Sequence, residues 1–346
     1  MRSQLRSGSG SYQYPHQSLP TALTGAEALQ RFKPAESTRH IIGMPAESIP
    51  PPDAGRVNKY GTDMFESSPL FDDFIEPVSP PAAYIGGKRR LARRITRAID
   101  MIPHQSYGEV FMGMGGIFLR RGRRPRAEFI NDWSEDVATF FRILQRHYVA
   151  FLDMLRYQLT TRSNFERLIR VDPSTQTDLE RAARFLYLQR LAFGGKVAGR
   201  SFGVDPSHSG GFDVTKLQPM LEQLHERLAG VTIERLPWSA FIERYDRPEM
   251  LFYLDPPYHG CESDYGAGMF GRAEFGQMAQ QLRTIEGQFI LSINDVPEIR
   301  AAFDGFAMAQ VDLLYTVGEG APIEAKELVI TNCTSLSVER LFPTQR

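Results

Sequence analysis

Past residue 81, the apolar positions of this 346-residue chain fall into two alternating rhythms. Leu91, Ile95, Ala98, Ile99 and Ile102 recur at helical spacing and predict a helix that stops at Pro103. Tyr107 to Met112 predicts a short strand, Gly113-Met114-Gly115-Gly116 a tight turn, and Ile117 to Arg120 the start of another helix. Ala127 to Ile130 predicts a second strand ending in Asn131-Asp132, and Val137, Phe140, Phe141 and Leu144 mark one face of the next helix. Strand, glycine turn, helix, strand, acid, helix is the opening of a doubly wound α/β fold. Residues 150–230 read as mostly helical and polar, interrupted by the Gly-rich loop Phe193 to Gly203. The α/β rhythm then resumes. Met250 to Leu254 is a nearly continuous apolar run, as a strand covered on both faces requires. Phe289 to Ile293 and Glu327 to Thr331 predict two further strands, so the helical stretch reads as an insertion within one sheet-based domain.

Residues 1–80 show neither rhythm. They hold 10 of the 23 prolines, including Pro50-Pro51-Pro52, and a Ser/Gly start, a composition that cannot bury enough apolar surface to offset ordering entropy. A disordered extension is expected there. The whole chain is 42% apolar and 23% charged, which excludes wholesale disorder. No apolar run approaches the roughly 18–20 residues of a membrane helix. The two cysteines, Cys261 and Cys333, exclude a disulfide framework and a four-thiolate metal site, and an intracellular, cytoplasmic setting is expected. The net charge of -1 hides a division: residues 81–200 carry 22 basic and 11 acidic side chains, residues 201–346 carry 11 and 21. One strongly basic third points to a polyanion surface. Of the basic residues 34 are Arg and 6 Lys, which suits bidentate phosphate contacts and equally fits a GC-rich genome.

Chemistry enters at the predicted strand ends. Gly113-x-Gly115-Gly116 lets the backbone turn tightly and come close to a ligand, but it is not GxGxxG and no GK[ST] follows, so a Walker loop is excluded. Asp132 can accept hydrogen bonds from ribose hydroxyls, or cap the helix that follows. Asp255-Pro256-Pro257-Tyr258, directly after the buried strand, is the specific signal, because a turn alone needs neither the acid nor the aromatic. The exocyclic nitrogen of adenine is a poor nucleophile, its lone pair being delocalised into the ring. An Asp carboxylate and a proline-loop carbonyl can accept its two hydrogens and localise that lone pair, and such fixed acceptors are worth about 2.7–4 kcal/mol each. Tyr258 offers a face for stacking, and a base inside a duplex must be flipped out to reach it.

Together these residues resemble the Dam-like, amino-group-directed DNA adenine methyltransferases, in the branch common in bacteriophages and prophages. The likeness spans about residues 81–334. It rests on Tyr84-Ile85-Gly86-Gly87-Lys88, the glycine turn with Glu109 and Phe111, Asn131-Asp132, Phe193-Gly194-Gly195-Lys196, Leu251 to Tyr258, Leu291 to Arg300 and Glu327 to Asn332. The resemblance implies a Rossmann-like S-adenosylmethionine-dependent methyltransferase sheet of seven strands, mostly parallel with the last antiparallel. It implies a catalytic domain of residues 81–149 and 231–346 and a helical target-recognition insert of residues 150–230. S-adenosyl-L-methionine would be the methyl donor, adenine N6 in double-stranded DNA the acceptor, and transfer direct, without a metal. Tyr84 and Lys88 would help enclose the donor, Gly113, Gly115 and Gly116 would pass beneath its methionine part, and Asp132 would bind its ribose. Asp255 would contact the target amine and lie near the donor, on the stiff Pro256-Pro257 hinge, with Tyr258 stacked on the base. Tyr84 replaces a Trp common in relatives, and Gly116 a Ser, which removes one hydrogen bond to the donor.

The basic segments fit a DNA surface: Lys88, Arg89, Arg90, Arg93, Arg94 and Arg97 on one predicted helix, a dense cluster from Arg120 to Arg126, and 11 basic against 5 acidic residues between Arg142 and Arg200. Lys88, Arg89, Arg124, Lys196 and Arg200 are the candidate DNA contacts. A monomer is expected, with a cognate restriction endonuclease as an optional partner and no membrane. The alternatives are methylation of cytosine N4 or RNA adenine, and a non-catalytic DNA-binding protein that keeps the fold. Cys261 invites a covalent mechanism, but ring-carbon methylation uses Pro-Cys where this chain has its acidic loop.

Overall fold

The computed structural model describes residues 73–88, 90–203, 210–265, 270–315, 323–333 and 342. Most of the expected extension, residues 1–72, lies outside them. Its last eight residues belong to the folded unit: Ile75 N–H donates to Gly122 O at 3.1 Å, Val78 N–H to Leu119 O at 2.7 Å, and Val78 is buried. Residues just before 81 are thus hydrogen-bonded to the sheet domain, with Val78 in its core.

The core is a seven-stranded sheet. In chain order its strands are β1 (Ser106–Glu109), β2 (Ala127–Asn131), β3 (Thr232–Glu234), β4 (Met250–Leu254), β5 (Gln288–Asn294), β6 (Ala307–Tyr315) and β7 (Ile323–Thr331). Their spatial order is β3-β2-β1-β4-β5-β7-β6. The pairs from β3 to β5 are parallel, and β7 runs antiparallel between β5 and β6. This is the expected arrangement, last strand antiparallel. All five residues of β4 are buried and its side chains alternate between two apolar cores: Leu251 and Tyr253 face one, Met250, Phe252 and Leu254 the other. Two strands, β3 and β6, carry no legible period. The first has three residues, and the second is an edge strand interrupted by Gln310 and Asp312.

Helix α1 (Ala92–Met101) buries Ala92, Ile95, Ala98 and Ile99 and exposes Arg93 and Arg97, the amphipathic split its spacing predicts. Helix α2 (Glu135–Arg146) buries Val137, Phe140, Phe141 and Leu144. Between α2 and β3 stand α3 (Tyr148–Arg156), α4 (Arg162–Arg170), α5 (Asp178–Leu191) and α6 (Val214–Arg227). This block is less polar than its sequence suggests. Helix α5 starts at a Thr177–Glu180 capping box and is buried nearly all round from Ala182 to Gln189, so its side chains join those of α1 and α2 in one core. Helices α7 (Trp238–Tyr245), α8 (Ala273–Leu282) and α9 (Pro297–Ala302) cover the other face. Among the described residues no helix is long and apolar enough to cross a membrane.

The register fixes where chemistry can happen. Glu109 at the end of β1 lies opposite Ile130 on β2 and Tyr253 on β4, so the loops after these three strands leave the sheet at one edge. The chain steps from β1 outward to β3, then returns to β4 on the other side. The resulting crevice between β1 and β4 is where open α/β sheets bind ligands.

Candidate active site

Three loops meet at that crevice. After β1, Gly113 and Gly115 take φ of 49° and 77°, the left-handed region that disfavours any side chain. A Cβ on Gly115 would fall 2.6 Å from Leu119 Cδ1, and one on Gly113 3.0 Å from the Tyr84 ring. Gly116 is different. A Cβ there would meet nothing closer than 3.8 Å, so the wall has room for the Ser found in relatives. After β2, Asp132 ties two loops together: Oδ2 accepts Gly113 N–H and Oδ1 accepts Ser134 N–H, each at 2.8 Å. The cap position of α2 falls on Ser134, so Asp132 is not the helix cap; it braces the turn before α2 from the cavity lining. Burial raises its pKa to about 6 against the pull of the two N–H groups.

After β4 comes the acid-proline-proline-tyrosine loop. Pro256 and Pro257 are buried. Asn294, at the end of β5, clamps the far side, accepting His259 N–H at 2.9 Å and donating to His259 O at 3.0 Å. Lys88 Nζ reaches Asp255 Oδ1 at 2.7 Å and the Tyr258 hydroxyl at 2.8 Å, and sits 4.3 Å above the Tyr258 ring. The Tyr258 hydroxyl in turn donates to Glu327 on β7. Burial raises the Asp255 pKa to about 6; Lys88 opposes the shift and the Glu327 charge adds to it.

A cavity of about 520 Å³ opens over this edge. Tyr84, Lys88, Gly113, Gly116, Asp132, Asp255 and Pro257 line it, whereas Gly115, Pro256 and Tyr258 do not. Sequence reasoning left out Trp133 and Glu109 of the lining, and Glu327 beside Lys88. Position at a strand end was the available signal for Glu109. Glu327 lies 69 residues beyond Tyr258, and nothing local marks it. Cys261 is exposed and its thiol is pushed up by burial of its neighbourhood and by Asp264 and Glu262, the opposite of an activated nucleophile.

The candidate DNA contacts are dispersed. Lys88 is 2% exposed and engaged with Asp255, so its ammonium does not reach a backbone phosphate. Arg124 pairs with Glu128 and donates to Arg227 O, and Arg121 of the same cluster is wholly buried against Glu128 and the Tyr107 ring. Arg200 donates to Gln189 Oε1 and Lys196 O. Lys196 is exposed, as are Arg90, Arg93 and Arg97, while Arg89 lies outside the described residues. The sequence shows charge but not the partner that engages it, which for Lys88 is a distant carboxylate, for Arg124 a nearby one and for Arg200 an amide oxygen.

Glu109 closes the floor of the cavity, accepting the Tyr107 hydroxyl at 2.9 Å. Burial, against the opposing pull of Tyr107 and Arg121, raises its pKa to about 8. The folded chain therefore keeps a proton there that the unfolded chain releases near its ordinary 4.5. Stability from this group is complete below that value and lost as pH climbs toward 8. Asp132 and Asp255 act in the same direction up to about 6. Thermal stability is thus expected to fall with rising pH. Glu109→Gln, which still accepts the Tyr107 hydroxyl, should remove about 2 kcal/mol of that loss between about pH 6 and 8, read by calorimetry.

The sheet order, with an antiparallel seventh strand between the fifth and sixth and a pocket over the β1–β4 crevice, is the arrangement expected of a methyltransferase sheet. The D12 class N6 adenine-specific DNA methyltransferase family model matches residues 84–317, and the chain belongs to that family. It is 22% identical over 264 residues to the Type II methyltransferase M.CviBI of Paramecium bursaria Chlorella virus NC1A, an alignment covering 74% of this chain and 100% of that protein. Among solved structures, the putative methyltransferase yhhF from Escherichia coli aligns over 76% of this chain and 100% of its own, with 9% identity and a TM-score of 0.31.

Proposed function

We propose that the protein methylates N6 of adenine in duplex DNA by direct transfer to a base turned out of the helix, with S-adenosyl-L-methionine as donor. One observation carries the reading. The Asp255 carboxylate is 21% exposed in the cavity wall, held by Lys88, at the strand crossing where the glycine turn and Asp132 also converge. The cavity volume lies in the range of small-molecule sites. Its lining suits the donor: left-handed glycine backbone at Gly113 for close approach, an acid at Asp132 for hydroxyls, and the half-buried Tyr84 ring. When bound, the donor would supply an electrophilic methyl group on a sulfonium. Asp255 would accept one hydrogen of the target amine, a carbonyl of the Pro256-Pro257 hinge the other, and Tyr258 would present its ring to the base. Fixed acceptors at a site of developing positive charge favour the transition state.

Exposed Lys196, Arg93 and Arg97 are side chains placed to meet phosphates, and residues of the α3–α6 block would read base edges. The Type II designation of the viral relative supports a partnership with a restriction endonuclease, and the reading implies a monomer working in a bacterial or phage-infected cytoplasm. The test is to incubate the protein with methyl-labelled donor and either duplex DNA or RNA, then digest to nucleosides. Label in N6-methyladenine from DNA is expected. Label in N4-methylcytosine, label only in RNA, or no label at all would overturn the proposal.

A further inference from the structure

Two carboxylates, one ammonium and one phenol form a linked cluster at the cavity wall. They come from three separate elements: Lys88 from the turn before α1, Asp255 and Tyr258 from the loop after β4, and Glu327 from β7. The side chains of Lys88 and Glu327 are each 1% exposed, against 21% for Asp255. Of the two acids only Asp255 can meet a substrate. We infer that Glu327 is a positioning residue for methyl transfer, anchoring the Tyr258 hydroxyl and sharing the Lys88 ammonium so that Asp255 keeps its strength as an acceptor. This inference rests on the proposed function.

The physical argument is one of competition. Lys88 Nζ lies 2.7 Å from Asp255 Oδ1 and 3.7 Å from Glu327 Oε2. With both acids ionised the trio carries a net negative charge, and an ammonium attracted from two sides neutralises neither fully. Without Glu327, Lys88 would belong to Asp255 alone, weakening that carboxylate toward an incoming amine. The Tyr258 hydroxyl would also lose the carboxylate it donates to. Glu327 thus leaves Asp255 an unclaimed oxygen and fixes the plane of the Tyr258 ring.

The charges facing Asp255 are Lys88, Glu327, Glu109 at the end of β1, and the Tyr253 hydroxyl of β4, whose own acidity the Asp255 charge suppresses. Lys88 lowers the Asp255 pKa, whereas Glu327 raises it. Transfer by the wild-type protein should therefore fall as pH drops through about 6, the value to which Asp255 is raised. Removing the Glu327 charge should move that acid limb downward.

Single-turnover methyl transfer to DNA, followed against pH, tests this. Glu327→Gln keeps the size and still accepts the Tyr258 hydroxyl, so folding and donor binding should persist. Its plateau rate is expected to fall about 10-fold and its acid limb to shift down by about half a pH unit or more. Glu327→Gln weakens this hydrogen bond to one with a neutral acceptor and Tyr258→Phe removes it, so Tyr258→Phe should slow transfer several-fold alone and by a smaller factor in the Glu327→Gln background, as residues acting through one another do. A Glu327→Gln plateau and limb equal to wild type, or fully additive effects of the two substitutions, would overturn the inference while leaving the proposed function intact. If Glu327→Gln fails to fold, wild-type transfer by Tyr258→Phe overturns it. No transfer by the wild-type protein to any nucleic acid overturns the functional reading, and this inference with it.

Discussion

Replacing Asp255 with Ala should lower the rate of methyl transfer to DNA by at least about 10²–10³-fold while leaving donor binding within a few-fold of wild type. The expectation follows from where the carboxylate stands. It is the exposed end of a buried ion pair, facing a cavity whose other walls are glycine backbone, aromatic rings and Asp132. A donor held by those walls would not feel its loss strongly, whereas a target amine would lose an acceptor present only when charge develops on nitrogen. Removing one partner of a buried pair is usually costly, about 3–5 kcal/mol. Here Glu327, 3.7 Å from Lys88, remains as a second counter-charge and softens that penalty. Asp255→Asn is the cleaner companion, because an amide oxygen can still accept from Lys88. Both variants should bind donor in a calorimeter and transfer no label. Full transfer by either would remove Asp255 from the mechanism.

Much of this site is local in sequence. The glycine turn, Asp132 and the Asp255-to-Tyr258 loop each follow a strand immediately, so a chain order of strand, turn and acid already places them at one sheet edge. The continuous apolar run Met250 to Leu254 likewise announced a central strand. What stayed hidden depends on contacts across long separations. Lys88 reads both as a donor-enclosing residue and as one more cation of a basic helix, and its burial against Asp255, far along the chain, excludes the second. Arg121 and Arg124 looked like phosphate contacts, yet both turn to Glu128 nearby in sequence, a carboxylate that distant Arg227 also holds by two hydrogen bonds of 2.7 Å. Charge patterning gives the sign of a segment and not its partners. Glu327 combines both difficulties, lying in a strand whose period is clear while its side chain serves a loop from another part of the chain.

Gly195→Ala is expected to have the second-largest effect, although this residue touches neither Asp255 nor the glycine turn. Gly195 sits in the loop after α5 with φ of 68°, and its backbone lies directly on the segment that carries Tyr84. Its carbonyl accepts Ile85 N–H at 3.0 Å and Gln189 Nε2 at 2.7 Å, and the same Gln189 amide reaches Ala83 O at 2.8 Å. A Cβ here would fall 2.8 Å from Ala83 C and 2.9 Å from Tyr84 N. Those atoms are backbone and cannot swing aside, so the wall of the cavity must move. Left-handed strain plus overpacking amount to about 2–5 kcal/mol, or about 5–15 °C in thermal midpoint for a unit of this size. If part of that strain is relieved by displacing Ala83 to Lys88, donor affinity should drop at least about 10-fold, the equivalent of about 1.4 kcal/mol. Gly194→Ala supplies the control: its φ is 65°, but no atom lies within 4 Å of the added carbon. That variant should show the left-handed strain alone, about 1–2 kcal/mol, with donor binding intact. Equal behaviour of the two alanine variants would mean that the α5 loop does not brace the pocket, because strain is common to both and only the backbone contact differs.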